Sequence, residues 1–90
     1  MIKVVSVEPL EGYKLRLKLS DGRSGIFDVL PYLDMEVFRE LKDPQYFCRA
    51  YVDYGTVVWP HEQDIAPDTI EVDLEPDQPA PEIGIARRRA

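Results

Sequence analysis

The run Tyr13-Lys14-Leu15-Arg16-Leu17-Lys18-Leu19-Ser20-Asp21-Gly22 carries the plainest structural instruction in the chain. Apolar and polar residues alternate along it. On a strand this places Tyr13, Leu15, Leu17 and Leu19 on a buried face and Lys14, Arg16, Lys18 and Ser20 in water. Asp21-Gly22 then predicts a hairpin, with a type I′ turn if both residues take positive φ. The return strand spans about residues 23–29. With a two-residue loop, Leu17 pairs with Ile26 and Arg16 with Phe27, which leaves Phe27 on the solvated face. Either another element covers Phe27 or a bulge shifts the register.

Toward the N-terminus, residues 2–7 are rich in β-branched side chains and predict a strand ended by Pro9, with Glu11-Gly12 supplying a turn. Toward the C-terminus, Asp34 is positioned to cap a helix over residues 35–42. Leu33 and Phe38 have staple spacing around that cap, and Val37, Phe38 and Leu41 form an apolar stripe expected in the core. Pro44 ends this helix, and Asp43 can cap one further turn over residues 44–47 with the proline at its first position. Residues 48–53 and 56–59 predict two more strands around a tight turn at Tyr54-Gly55, stopped by Pro60. Residues 66–70 suggest a last helical turn or a docking segment. Beyond Asp73, prolines and acids leave little to bury. The expectation is one α+β domain over residues 1–74 and a flexible, acidic, proline-rich tail over 75–90. The domain is a small antiparallel or mixed sheet, built from two hairpins and an N-terminal strand, with one short helix packed on it.

Ninety residues with 44% hydrophobic content support one modest core and leave little room for an enclosed active site. That favours a binding module over an enzyme. No run approaches the ~20 apolar residues of a bilayer span, so no membrane association is expected. The first residues lack the basic stretch and apolar run of a signal peptide. Cys48 is the only cysteine and has no internal disulfide partner, so a reducing, cytoplasmic location is expected. Charge is unevenly distributed. Residues 1–52 hold eight basic and eight acidic side chains, whereas Asp53 to Glu82 hold nine acids and neither Lys nor Arg. Such a surface repels nucleic acid and attracts basic proteins. Arg87, Arg88 and Arg89 close the chain.

Several side chains invite a chemical reading. His61, the only histidine, stands near Glu62 and Asp64, and the three could serve a small metal-dependent hydrolase. Structural zinc sites, however, take four N or S ligands, and no second histidine or nearby cysteine completes a set. No metal site, no cofactor and no catalytic residue is therefore assigned. Cys48 could act as a nucleophile with His61, but a free cysteine is more often a small core residue. Lys14, Arg16 and Lys18 could meet phosphates, yet a basic row also guards a strand edge against aggregation. No phosphate-cradling glycine pattern or serine elbow is present. Tyr51, Tyr54 and Trp59, followed by His61, Glu62 and Asp64, make the candidate partner surface, because Trp and Tyr dominate protein interfaces.

Leu19-Ser20-Asp21-Gly22, Leu41-Lys42-Asp43-Pro44 with Phe47 soon after, and Gly55-Thr56-Val57-Val58-Trp59-Pro60 running into Asp64-Ile65-Ala66-Pro67-Asp68-Thr69-Ile70 occur here in order. This succession resembles family 2442 of the domains of unknown function, small bacterial proteins of α+β fold, over about residues 2–71. The resemblance implies no established activity and no catalytic residues. Some members carry a C-terminal helix-turn-helix where this chain has a short tail, so direct nucleic-acid binding is not expected. Genes of the family often lie beside those of a second family of small proteins, an arrangement that suggests toxin–antitoxin pairs. Members typically have Asn-Gly or Asp-Gly after the Trp-Pro; this chain has His61-Glu62. The reading that results is a non-enzymatic protein-interaction module, antitoxin-like, whose partner is another small and basic protein. A homodimer through open strand edges, the His61/Glu62/Asp64 hydrolase, and a DNA-associated accessory protein using Arg87–Arg89 stand as alternatives.

Overall fold

The computed structural model describes residues 1–76. Strands β1 (Val4–Leu10), β2 (Lys14–Leu19) and β3 (Ser24–Asp28) form a meander. Two 3₁₀ segments follow, Leu30–Tyr32 and Glu36–Lys42, and then one turn of helix, α1 (Pro44–Phe47). A second group comprises β4 (Tyr51–Asp53), β5 (Thr56–Val58), β6 (Asp64–Ile65), α2 (Pro67–Asp73) and β7 (Glu75–Pro76). Every pairing is antiparallel, and the strands form two sheets, ordered β1-β2-β3-β7 and β4-β5-β6. The α+β class holds, but the two hairpins lie in separate sheets instead of one. They meet where the Val4 N–H donates to the Gly55 carbonyl at 2.9 Å.

The alternation along β2 is realised from Lys14 onward, with Leu15, Leu17 and Leu19 buried and Lys14, Arg16 and Lys18 exposed, whereas Tyr13 lies in the preceding turn at positive φ (63°) and is half-buried. The basic row meets carboxylates on its neighbours, with Arg16 3.0 Å from Glu8 and Lys14 3.9 Å from Asp28. The turn that follows is not type I′. Only Gly22 has positive φ (96°), the Gly22 N–H donates to the Leu19 carbonyl, and the Leu19 N–H donates to Arg23. This is a three-residue loop closed by a bulge glycine. The extra residue moves the register by one, pairing Leu15 with Phe27 and Leu17 with Gly25. Phe27 is thereby turned inward and fully buried. At Gly25 a Cβ would sit 2.2 Å from the Glu75 carbonyl oxygen, so only glycine admits β7 to this edge.

Other expectations give way locally. β1 continues through Pro9, which pairs with Leu15; an edge strand tolerates a proline whose missing N–H is not needed by the ladder. The segment after Asp34 is 3₁₀, runs from Glu36 to Lys42, and has Met35 at its N-cap with no side-chain hydrogen bond. Asp34 instead lies 3.3 Å from the Lys42 ammonium. The tighter 3₁₀ winding buries Leu41 and half-buries Phe38 while leaving Val37 in water, because its three residues per turn rotate the stripe that α-helical spacing implies. Asp43 does cap α1, accepting from the Gln45 N–H at 3.0 Å. Cys48 is exposed rather than packed in the core. β6 follows Pro60 where the sequence pattern marked only a loop. Glu75 and Pro76, assigned to the tail by composition, pair with β3; the remainder of that tail, with Arg87–Arg89, lies outside the described residues.

The core joins the Leu15/Leu17/Leu19 face, Phe27 and Val29 to Leu41, Phe47, Val57, Trp59, Ile65 and Ile70. At ~25 cal/mol per Å² of apolar surface removed from water, each of these larger side chains contributes roughly 1.5–3 kcal/mol. Among the described residues no helix is long and apolar enough to cross a membrane.

Candidate functional site

The β5–β6 connection, Trp59 to Gln63, repeats the geometry of the β2–β3 loop. The Glu62 N–H donates to the Trp59 carbonyl at 3.0 Å and the Trp59 N–H to the Gln63 carbonyl at 2.9 Å. The third loop residue again has positive φ, here Glu62 at 77°. An L-residue with a Cβ enters this region at a cost of roughly 1–2 kcal/mol, so the loop must be held by contacts beyond itself.

Those contacts come from α1 and from the preceding 3₁₀ segment. The Tyr46 hydroxyl donates to Gln63 Oε1 at 2.6 Å and accepts from the His61 N–H at 2.8 Å. Gln63 Nε2 donates to Glu40 Oε1 at 3.0 Å, and His61 Nδ1 lies 2.6 Å from Glu40 Oε2. The imidazole stacks on the Tyr46 ring with centroids 5.2 Å apart. Gln63 is the one buried polar residue among those described, and both ends of its amide are satisfied, as burial requires. Beneath the loop the Trp59 indole N–H donates to the Phe47 carbonyl at 2.9 Å. Glu40, Tyr46 and Gln63 were not singled out from sequence. Two polar residues on separate elements and a tyrosine in a four-residue helix leave no local signature.

The six residues proposed as a partner surface divide accordingly. Trp59 leaves the set, since it is only 1% exposed. Its large ring is needed in a small core, where it packs 5.9 Å from Phe47. Tyr51 and Asp64 stay together on the outer face of the second sheet, because Tyr51 pairs with Val58 and Val58 with Asp64. Tyr54 projects from the β4–β5 turn at 94% exposure. Tyr54 and Gly55 both have positive φ, so the type I′ turn occurs here and not at Asp21-Gly22. Glu62 occupies the strained position of its loop, and His61 is held by Glu40 and Tyr46. A histidine oriented by a carboxylate is a common component of acid–base centres. Here, however, the structure does not bring His61, Glu62 and Asp64 to one point. Among the described residues no three or more His, Cys, Asp and Glu side chains converge to hold a metal ion.

The family model described as "Protein of unknown function (DUF2442)" matches residues 4–76, and the chain belongs to this family. No curated protein and no solved structure matches the chain.

Proposed function

We propose that this DUF2442 chain is a non-enzymatic interaction module that binds a small basic protein in the cytoplasm, as the antitoxin-like member of a gene pair. The supporting observation is the outer face of β4-β5-β6 together with its acidic surroundings. Tyr51, Val58 and Asp64 form one cross-strand row, with Tyr54 and Asp53 at its end. From residue 53 to residue 76 there are seven acids and no Lys or Arg. Asp53, Glu62 and Asp64 make no ion pair among the described residues. Exposed tyrosine beside unneutralised carboxylates suits a partner surface in which Lys or Arg flanks apolar contacts, since tyrosine contributes rigid area and carboxylates set orientation and association rate. Polar atoms around His61 already satisfy one another, an arrangement that holds a loop in shape.

The test is capture by the full-length chain from native lysate of the source cells at physiological salt, followed by sizing of the complex. A stoichiometric basic protein is expected, with affinity reduced about tenfold or more by the pair Tyr51→Ser and Asp64→Lys. Failure to recover any stoichiometric protein overturns the reading.

A further inference from the structure

Two shallow hollows, of about 290 and 330 Å³, share Tyr32 as a lining residue. The larger is formed chiefly by Met35, Phe38, Ile65 and Ala66, and among the described residues its one charged lining residue is Asp64. The smaller sets Pro31 beside three carboxylates, Asp28, Asp73 and Glu75. Among the described residues neither lining includes Lys or Arg. Met35, in the larger lining, is 51% exposed. Existing contacts leave the acids short of cations. Asp28 meets Lys14 only at 3.9 Å, Asp73 accepts from the Tyr32 hydroxyl at 3.3 Å, and Asp64 and Glu75 make no ion pair among the described residues.

An apolar seat that includes Asp64, adjoining at Tyr32 a hollow lined by three more acids, specifies its occupant by charge and by apolar contact. Thr69 lines the larger hollow and Asp73 the smaller, four residues apart on α2, which is about 6 Å along the helix axis. We infer that this double hollow is the anchor groove for an extended basic segment of the partner. One apolar side chain seats against Tyr32, Met35 and Phe38, and basic side chains of the same segment meet Asp64 and the Asp73/Glu75 pair. The inference rests on the basic-partner reading above and deepens it by naming an adjoining surface, which shares Asp64 with the first, and the kind of peptide that fits it. Charge alone would give a contact that salt screens; the apolar seat supplies an attraction that persists.

The full-length chain, ¹⁵N-labelled, is titrated with three fluorescein-labelled pentapeptides. The first reads arginine-serine-leucine-serine-arginine, the second has serine in place of leucine, and the third has glutamate in place of both arginines. The first is expected to shift the amides of Tyr32, Ile65 and Thr69 and to bind about tenfold tighter than the second, the scale of burying one leucine. Binding is expected to weaken about tenfold in Asp73→Lys and in Glu75→Lys and to stay unchanged in Glu11→Lys, which lies in the β1–β2 turn, and in Tyr51→Ser, which lies on the other surface. Equal binding of the leucine and serine peptides, with shifts scattered over all acidic positions, overturns the groove while leaving a basic partner that docks elsewhere. Binding of the glutamate peptide as tight as the arginine one removes the groove and counts against a basic partner as well. A tenfold gain in affinity when Arg87, Arg88 and Arg89 are all changed to Glu in the full-length chain would show the chain's own terminus to be the occupant, and overturns the assignment to a partner.

Discussion

The loops Leu19–Arg23 and Trp59–Gln63 are built alike and held differently. Each begins at a buried residue, spans three residues, closes with the same two backbone hydrogen bonds and places its third residue at positive φ. In the first loop the sequence itself meets these demands. Gly22 takes positive φ without strain, and the Asp21 carboxylate accepts from the Arg23 N–H at 3.1 Å and from its guanidinium at 2.8 Å. In the second loop a glutamate occupies the glycine position, and the shape is imposed by Tyr46, Gln63 and Glu40. One backbone geometry therefore arises by local preference in one place and by tertiary constraint in another. Strain of the second kind persists where surrounding contacts over-determine a loop, as they do at many functional sites.

The sharpest way to break the pairing is to remove what lies under the second loop. Trp59→Ala is expected to cost about 3–5 kcal/mol through the cavity it opens, read as a fall in the urea midpoint. Tyr46→Phe keeps the ring but leaves buried Gln63 Oε1 and the His61 N–H without their partner. It should cost roughly 1–3 kcal/mol and speed hydrogen exchange at residues 59–63 while leaving residues 19–23 protected. That selectivity is the informative part; equal deprotection of both loops would refute the external-support account.

Exchanging the third loop residues should then give effects of opposite sign. Gly22→Ala meets no steric obstacle within 4 Å, so its expected loss of about 1 kcal/mol comes from positive φ alone. Glu62→Gly relieves the same strain, and after the extra chain entropy of glycine it should raise stability by about 0.5 kcal/mol. Thermal melts of the two variants decide this, and a destabilised Glu62→Gly would mean that the glutamate side chain itself supports the loop. The smallest effect concerns pH. The Arg23 N–H, and then its guanidinium, hold the Asp21 carboxyl below the usual carboxylate range. A carboxylate with a depressed folded-state pKa contributes stability above its unfolded value, and that contribution fades as pH falls through the folded value. A ¹³C titration should therefore place Asp21 below 3.8, and Asp21→Asn should flatten the acid limb of the stability curve.

The first sheet was largely legible in the sequence. Its β2 alternation, the hairpin at Gly22 and the cap of Asp43 on α1 each depend on residues adjacent in the chain. The register of β3 was legible only as a conflict: Phe27 could not stay in water, and a bulge was one of two ways to avoid it. The short second sheet was harder to read, because two- and three-residue strands carry no periodicity. Asp64–Ile65 passed for loop, and Trp59 looked as suited to a surface as to a core. The candidate cluster was the least visible part. Glu40, Tyr46 and Gln63 are polar or amphipathic residues on three elements, and only their convergence gives them meaning.

The order of amino acids by itself determined the α+β class, the buried face of β2, the positions of most turns and the one-sided acidity from residue 53 onward. These depend on side-chain spacing along a strand, on local backbone preference and on charge count, all of which act over a few residues. The tertiary structure alone decided that the strands form two sheets, that Trp59 faces inward and that Glu62 is held at positive φ. It also decided that acidic and apolar residues from β3, the 3₁₀ segments, β6 and α2 line two hollows that have Tyr32 in common. Those outcomes depend on which surfaces exclude water together, a property of the packed chain that no short window of sequence contains.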